Sequence, residues 1–147
     1  MASTTYVLDT EPLIAFLYEE PGYEVVEDIL TRIEAGDVDG AIAEVIASEL
    51  LYKVARLEGE DGTATPASLQ AAERDIRILE RRGLTIERAP WRLAGEIKSD
   101  GGLSLADAYA VALAVEKDAA LLVGADKDFD TLPVDIPIER IREEGVE

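Results

Sequence analysis

The sequence offers few kinds of side chain that could carry out chemistry. It contains neither cysteine nor histidine, which excludes thiol nucleophiles, imidazole bases and the zinc or iron sites that depend on sulfur or imidazole ligands. Any catalysis must therefore use carboxylates, hydroxyls or a hard metal ion. The chain has 32 acidic residues, so the question is which of them are brought together.

Two acids directly follow predicted strands. Asp9 comes after the β-prone run 5–8, and Asp126 lies just past the apolar strand 120–123. Parallel strands end at one edge of a sheet, and ligands of α/β proteins bind at that edge. We therefore expect both carboxylates at the carboxyl edge of the sheet.

Two further acids lie near the starts of predicted helices. Glu49 is in the first half of helix 45–57, and Asp107 is in the first turn of helix 104–117. Right-handed crossovers bring the starts of such helices to the same sheet edge. Four acids from distant parts of the sequence are thus predicted to converge.

Each acid also has a local explanation. The local roles are a cap for the first helix (Asp9), an i,i+4 pair (Glu49 with Lys53), a capping box (Ser104 with Asp107) and a cap for the turn through Asp128 and Phe129 (Asp126). None of these roles requires all four acids to face one edge, where each close pair would repel by about 4 kcal/mol at about 4 Å and an effective dielectric of about 20. A hard cation relieves that repulsion. Mg²⁺ prefers oxygen ligands and can activate water for phosphodiester hydrolysis, so the set favours phosphoryl chemistry.

Strands and helices are predicted to alternate along the chain. The predicted strands are 5–8, 40–43, 84–88, 120–123 and a last one near 136–141; the predicted helices are 13–18, 22–35, 45–57, 66–82, one from Pro90, and 104–117, with a helical turn at Asp128-Phe129. This alternation indicates an α/β fold with a mostly parallel central sheet and helices on both faces. The loop 58–66 is too short to separate domains, so residues 1–147 are predicted to form one domain.

The net charge of −18 is extreme for 147 residues. Such self-repulsion is tolerated where salt screens it, which suggests a salt-rich cytoplasm. The charge also argues against nucleic-acid binding, which usually shows a basic footprint. The absence of a signal-peptide pattern, of cysteine and of a long uncharged apolar stretch predicts a cytoplasmic protein without a membrane span.

One basic cluster eases the conflict with nucleic-acid binding. Six of the fourteen basic residues fall within nineteen positions: Arg74, Arg77, Arg81, Arg82, Arg88 and Arg92. They are either a patch for an RNA backbone or partners of Glu73, Glu80 and neighbouring acids. The interleaved signs favour ion pairing.

Four segments, in order, resemble the motifs of PIN-domain nucleases, especially VapC-type toxins. They are Val7-Leu8-Asp9-Thr10, Ala47-Ser48-Glu49-Leu50-Leu51-Tyr52, Leu103-Ser104-Leu105-Ala106-Asp107-Ala108 and Val123-Gly124-Ala125-Asp126-Lys127-Asp128-Phe129. Each motif alone is weak, but the ordered set with this spacing is fairly specific.

The resemblance implies a three-layer α/β/α sandwich and a metal-dependent endoribonuclease with Mg²⁺ or Mn²⁺ as cofactor. It implies Asp9, Glu49, Asp107 and Asp126 as the catalytic, metal-binding acids, with Asp128 as a further metal ligand. Thr10 falls where the family often has a small hydroxyl residue that supports the site. RNA as substrate, a homodimer and a cognate antitoxin that inhibits the enzyme are also implied.

Three other functions compete with this one. A haloacid-dehalogenase phosphatase needs Asp-x-Asp after the first strand, where this chain has Asp9-Thr10-Glu11. A receiver-like signalling module needs an acceptor aspartate after its third strand, where this chain continues into Ala89-Pro90. A stand-alone PIN-domain RNA-processing nuclease would carry the same acids as a toxin, and the sequence does not separate the two.

Overall fold

Five strands alternate with six α-helices in the computed structural model, which describes residues 4–143. The strands are β1 Thr5–Leu8, β2 Asp39–Ala43, β3 Thr85–Glu87, β4 Ala120–Val123 and β5 Ile138–Arg140. The helices are α1 Thr10–Leu17, α2 Tyr23–Glu34, α3 Glu44–Leu57, α4 Pro66–Arg81, α5 Trp91–Ser99 and α6 Leu105–Lys117, with a 3₁₀ helix at Lys127–Asp130. The predicted order of elements is confirmed.

The strands form one sheet in the order β3-β2-β1-β4-β5, and every neighbouring pair is parallel. The predicted α/β class is confirmed, and the mostly parallel sheet is entirely parallel over the described residues. From β1 the chain proceeds outward through β2 to β3, whereas β4 and β5 lie on the other side of β1. The order of the strands therefore reverses between β1 and β4, which is where α/β sheets bind ligands.

Crossovers that run in opposite directions along the sheet place helices on both faces, because each is right-handed. Helices α2 and α3 pack on β2, while α6 packs on β1, β2 and β4 and is covered by α5. Helix α6 is buried nearly all round, since Ala108 and the run 110–114 are inaccessible to solvent. A helix with this environment needs small and apolar residues on every face, and the α6 sequence supplies them.

Most predicted boundaries agree with the structure to within two residues. The first helix is the main exception, since it begins at Thr10 rather than at 13. Pro12 lies in its first turn, where backbone N–H groups have no partner within the helix and a missing N–H costs little. The last strand is also shorter than predicted, at Ile138–Arg140. No helix within residues 4–143 is long and apolar enough to cross a membrane.

Candidate active site

Asp9 occupies the carboxyl end of the central strand. It follows β1, its backbone N–H donates to the Leu122 carbonyl of β4 at 3.0 Å, and only 5% of the residue is exposed. It stands in the N-cap position of α1, but its side chain makes no capping hydrogen bond. Capping therefore does not explain why an aspartate is buried here.

Two buried oxygens at this point have no hydrogen-bond partner among the described residues: Asp9 Oδ1 and Thr10 Oγ1. An unsatisfied buried polar atom costs about 1–3 kcal/mol, and more when it is charged. Such a pair of oxygens is expected where a ligand, rather than the protein, completes the contacts.

The two helix-borne acids combine a local contact with a place in the cluster. Glu49 Oε1 lies 3.7 Å from Lys53 Nζ, so the predicted ion pair is present. Ser104 Oγ accepts the Asp107 N–H at 3.2 Å, so Ser104 caps α6 as the spacing predicted. That cap uses the Asp107 backbone and leaves its carboxylate available to the cluster.

The carboxylates are close enough to raise each other's pKa. Burial raises the pKa of Asp9 well above its usual value, and the negative charges of Asp107, Glu49 and Glu11 add to that rise. Burial also raises the pKa of Asp107 to about 6, with further contributions from Glu49 and Asp126. The four predicted acids therefore form one electrostatic cluster.

Asp126 and Asp128 differ in their relation to this cluster. Asp126 lines a cavity of about 260 Å³ together with Asp9 and Glu49. Its Oδ1 also accepts the Asp128 N–H at 2.9 Å, so the predicted cap of the 3₁₀ helix is present. The side chain of Asp128 is exposed and lies outside the cavity lining.

Sequence reasoning missed Glu11, which lines the same cavity and contributes to the high pKa of Asp9. The Glu11 carboxylate lies against Gly124, where an added Cβ would come within 1.9 Å of Glu11 Cδ. Glycine in the Val123-Gly124-Ala125 segment is thus needed for space. The only available signal was a glycine directly after a strand, and it does not identify its neighbour.

Two arginines from the end of the chain hold the loops of the cluster. Arg142 donates to the Pro21 carbonyl at 2.8 Å and forms an ion pair with Glu11. Arg140 donates to the Asp126 carbonyl at 2.9 Å and pairs with Asp130. We call Arg140 and Arg142 the β5 arginines. The Arg142–Glu11 pair spans 131 positions, so no local pattern could predict it.

The donor set fits a magnesium ion without forming a closed cage. Among residues 4–143, no group of three acids has the arrangement of a complete metal site. Magnesium keeps several waters and is usually held by one or two carboxylates plus substrate phosphate. The unpartnered Asp9 Oδ1, beside other carboxylates whose charges it must tolerate, is the kind of oxygen that such an ion uses.

Ion pairing accounts for much of the basic cluster around α4. Arg77 pairs with Glu73 and Glu80, Arg82 with Glu27 and Glu34, and Arg92 with Glu96. The structure thus supports the ion-pair interpretation for three of the six arginines. Arg88 is different and is discussed below.

Comparison with known proteins adds three findings. The family model for the PIN domain matches residues 6–134. A chain of the VapBC2 complex from Rickettsia felis, crystallised with a DNA fragment from its promoter, has a TM-score of 0.65 and 18% identity, covering 93% of this chain and 98% of that chain. PAE2754 from Pyrobaculum aerophilum has a TM-score of 0.58 and 19% identity, covering 94% of this chain and 84% of that chain. No curated protein sequence matches this chain.

Proposed function

We propose that this chain, which belongs to the PIN-domain family, is a metal-dependent endoribonuclease that hydrolyses RNA phosphodiester bonds. The observation that carries the proposal is the buried Asp9 carboxylate. One of its oxygens has no partner among the described residues, and the charges of Asp107 and Glu49 raise its pKa. A protein gains nothing from that arrangement unless a cation is bound there.

In this proposal Asp9, Glu49, Asp107 and Asp126 hold Mg²⁺ or Mn²⁺. A bound ion supplies a nucleophilic water at neutral pH and stabilises charge on the phosphate. The backbone fixes the acids: Ser104 anchors the start of α6 through the Asp107 N–H, and the Asp128 N–H orients Asp126. We assign Asp128 this supporting role, because its side chain lies outside the cavity lining.

The biological role we propose is that of a VapC-type toxin, which acts as a homodimer and is inhibited by a cognate antitoxin. The fold shared with the VapBC2 chain supports this role. A stand-alone RNA-processing nuclease remains the alternative with the same site. A receiver-like function is disfavoured, because β3 ends at Glu87 and continues into Arg88 and Ala89 without an acceptor aspartate.

We also propose that the protein works in a salt-rich cytoplasm, because a charge of −18 repels itself where the screening length is long. The melting temperature should rise between about 0.1 M and about 2 M potassium chloride, over which the Debye length falls from about 10 Å to below about 3 Å. A melting temperature that stays constant or falls over this range would contradict the proposal.

The decisive test is cleavage of a structured RNA with Mg²⁺ by Asp107→Asn and Asp126→Asn. Both variants should lose cleavage, and both should lose part of the thermal stabilisation that Mg²⁺ gives the parent protein. Asp37→Asn, an exposed acid before β2, is the matched control and should keep both properties.

Ser104→Ala separates metal binding from helix capping. It removes the cap of α6 but leaves the Asp107 carboxylate in place, so it should lower stability by about 1 kcal/mol and retain cleavage. Parental cleavage rates in the two aspartate variants would mean that the proposed site is wrong.

A further inference from the structure

A second cavity lies at the same sheet edge, beside the acid cluster rather than in it. It has a volume of about 350 Å³ and is formed where β2 and β3 end and α5 and α6 begin. Its lining consists of Glu44, Val45, Arg88, Ala89, Trp91 and Tyr109. We call it the β3 pocket.

Strand register fixes how far this pocket lies from Asp9. Ala43 of β2 pairs with Glu87 of β3, so Glu44 and Arg88 leave the sheet side by side. Val7 of β1 pairs with Ala41 of β2, which places Asp9 level with Ala43. Arg88 is therefore two strands away from Asp9, or about 10 Å. A single-stranded substrate at the acid cluster would place a neighbouring nucleotide in this pocket.

Trp91 gives the pocket an unusual wall. It is the only tryptophan in the chain, it is the first residue of α5, and 69% of it is exposed. Tyr109 of α6 lines the same space and is partly buried. An exposed tryptophan beside a second aromatic ring has little structural purpose and is suited to stacking a flat ligand.

Arg88 adds a cation to these rings. Its side chain is exposed, and within residues 4–143 its guanidinium forms no ion pair, although the chain has 32 acids. Arginine contacts phosphate through several N–H groups and stacks on aromatic faces. The lining also contains one acid, Glu44. Its charge opposes a phosphate inside the pocket and favours a neutral ring there, with Arg88 at the exposed mouth.

We propose that the β3 pocket is a nucleobase subsite, in which an unpaired base of single-stranded RNA stacks on Trp91 while Arg88 contacts an adjacent phosphate. This inference rests on the proposed nuclease function and names how that site holds its substrate. Stacking is not screened by salt, whereas phosphate contacts weaken strongly as salt rises. A chain with a net charge of −18 needs such a contact to retain RNA.

The single tryptophan makes the proposal directly measurable. The full-length protein is titrated with a short single-stranded RNA in chelator, which prevents cleavage, while tryptophan emission is recorded. Emission should change with single-stranded RNA and much less with the same sequence as a duplex, whose bases are already stacked. Parental emission at saturating single-stranded RNA would overturn the proposal.

Variants test the two contacts separately by anisotropy of labelled RNA. Trp91→Ala should weaken binding about 5- to 100-fold at both low and high salt, and Trp91→Phe should retain part of the affinity. Arg88→Gln should weaken binding mainly at low salt and reduce the salt slope by about 1. Trp91 is exposed, so its truncation should leave the melting temperature nearly unchanged. Tyr18→Ala is the matched control, because Tyr18 is an exposed aromatic next to Glu58.

The outcomes distinguish this proposal from the proposed nuclease. RNA that changes Trp91 emission but is never cleaved with Mg²⁺ would contradict the nuclease and support the subsite. Cleavage with parental binding in Trp91→Ala would contradict the subsite alone. An emission change that follows protein concentration without RNA would assign this face to a second copy of the chain and overturn the proposal.

Discussion

The two sides of the acid cluster use arginine in opposite ways. On the β5 side, Arg140 and Arg142 are largely buried and bind protein oxygens, namely backbone carbonyls and the carboxylates of Asp130 and Glu11. On the β3 side, Arg88 is exposed and forms no ion pair within residues 4–143. The same residue type therefore stabilises the site on one side and remains available to a ligand on the other.

Surroundings, not composition, decide between the two uses. The Arg142 side chain is 15% exposed and meets Glu11, whose carboxylate is confined by Gly124. Gly22 supports the same contact from below, since its positive φ of 93° and the Ile141 carbonyl leave no space for a Cβ there. The end of the chain is thus packed against the turn that follows α1. Arg88 has no such enclosure.

The comparison predicts its largest effect for stability. Arg142→Gln should lower the free energy of unfolding by about 1–3 kcal/mol, because it leaves Glu11 and the Pro21 carbonyl without their charged donor. Arg88→Gln should change it by less than about 0.5 kcal/mol, as for other exposed sites. Urea unfolding of both variants in chelator measures the difference. Equal losses would mean that the two sides are not distinct.

Gly124→Ala provides the control for the Arg142 contact. Its Cβ would displace the Glu11 carboxylate, so it should break the same ion pair. The losses from Gly124→Ala and Arg142→Gln should then fail to add in the double variant, because both act on one interaction. Full additivity would show that Arg142 stabilises the protein through Pro21 rather than through Glu11.

Much of the fold follows from the sequence because its signals are local. The strand 120–123 was predicted at the bounds that the structure shows, and the α4 start at Pro66 was marked by Thr65, which caps it. The start of α1 was misjudged because the hydrophobic pattern begins only at Leu13. The bounds of the last strand were also too wide, because β5 joins the sheet only through β4 and its pairing ends at Arg140.

The candidate site divides along the same line. The convergence of Asp9, Glu49, Asp107 and Asp126 was predicted from topology, since each follows a strand or begins a helix. The contact of Arg142 with Glu11 depends on the tertiary packing of the chain end, which has no sequence signature. The β3 pocket was missed for a related reason, because an exposed Trp91 at a helix start looks like any other surface residue until its neighbours are known.

A smaller effect is expected between the two sides, where neither β5 arginine forms an ion pair with Asp9 or Asp107. The pKa of Asp107 is raised from 3.8 to about 6, so the folded protein holds this proton more tightly than the unfolded chain does. The stabilisation from this group is present below about pH 4 and is lost as pH rises through about 6. Asp107→Asn removes the titration, so its stability relative to the parent in chelator should rise over that range and level off near pH 7. The gain should be smaller than the Arg142 effect, because Asp107 is only partly buried and salt screens its charge. Added Mg²⁺ should reverse the difference, since only the parent retains the carboxylate. Helix capping makes the opposite prediction: loss of a charge from the first turn of α6 should then lower stability by about 0.3–1 kcal/mol at pH 7, with or without metal. Urea unfolding at a series of pH values, with parallel measurements of Ser104→Ala to isolate the cap, distinguishes the two explanations.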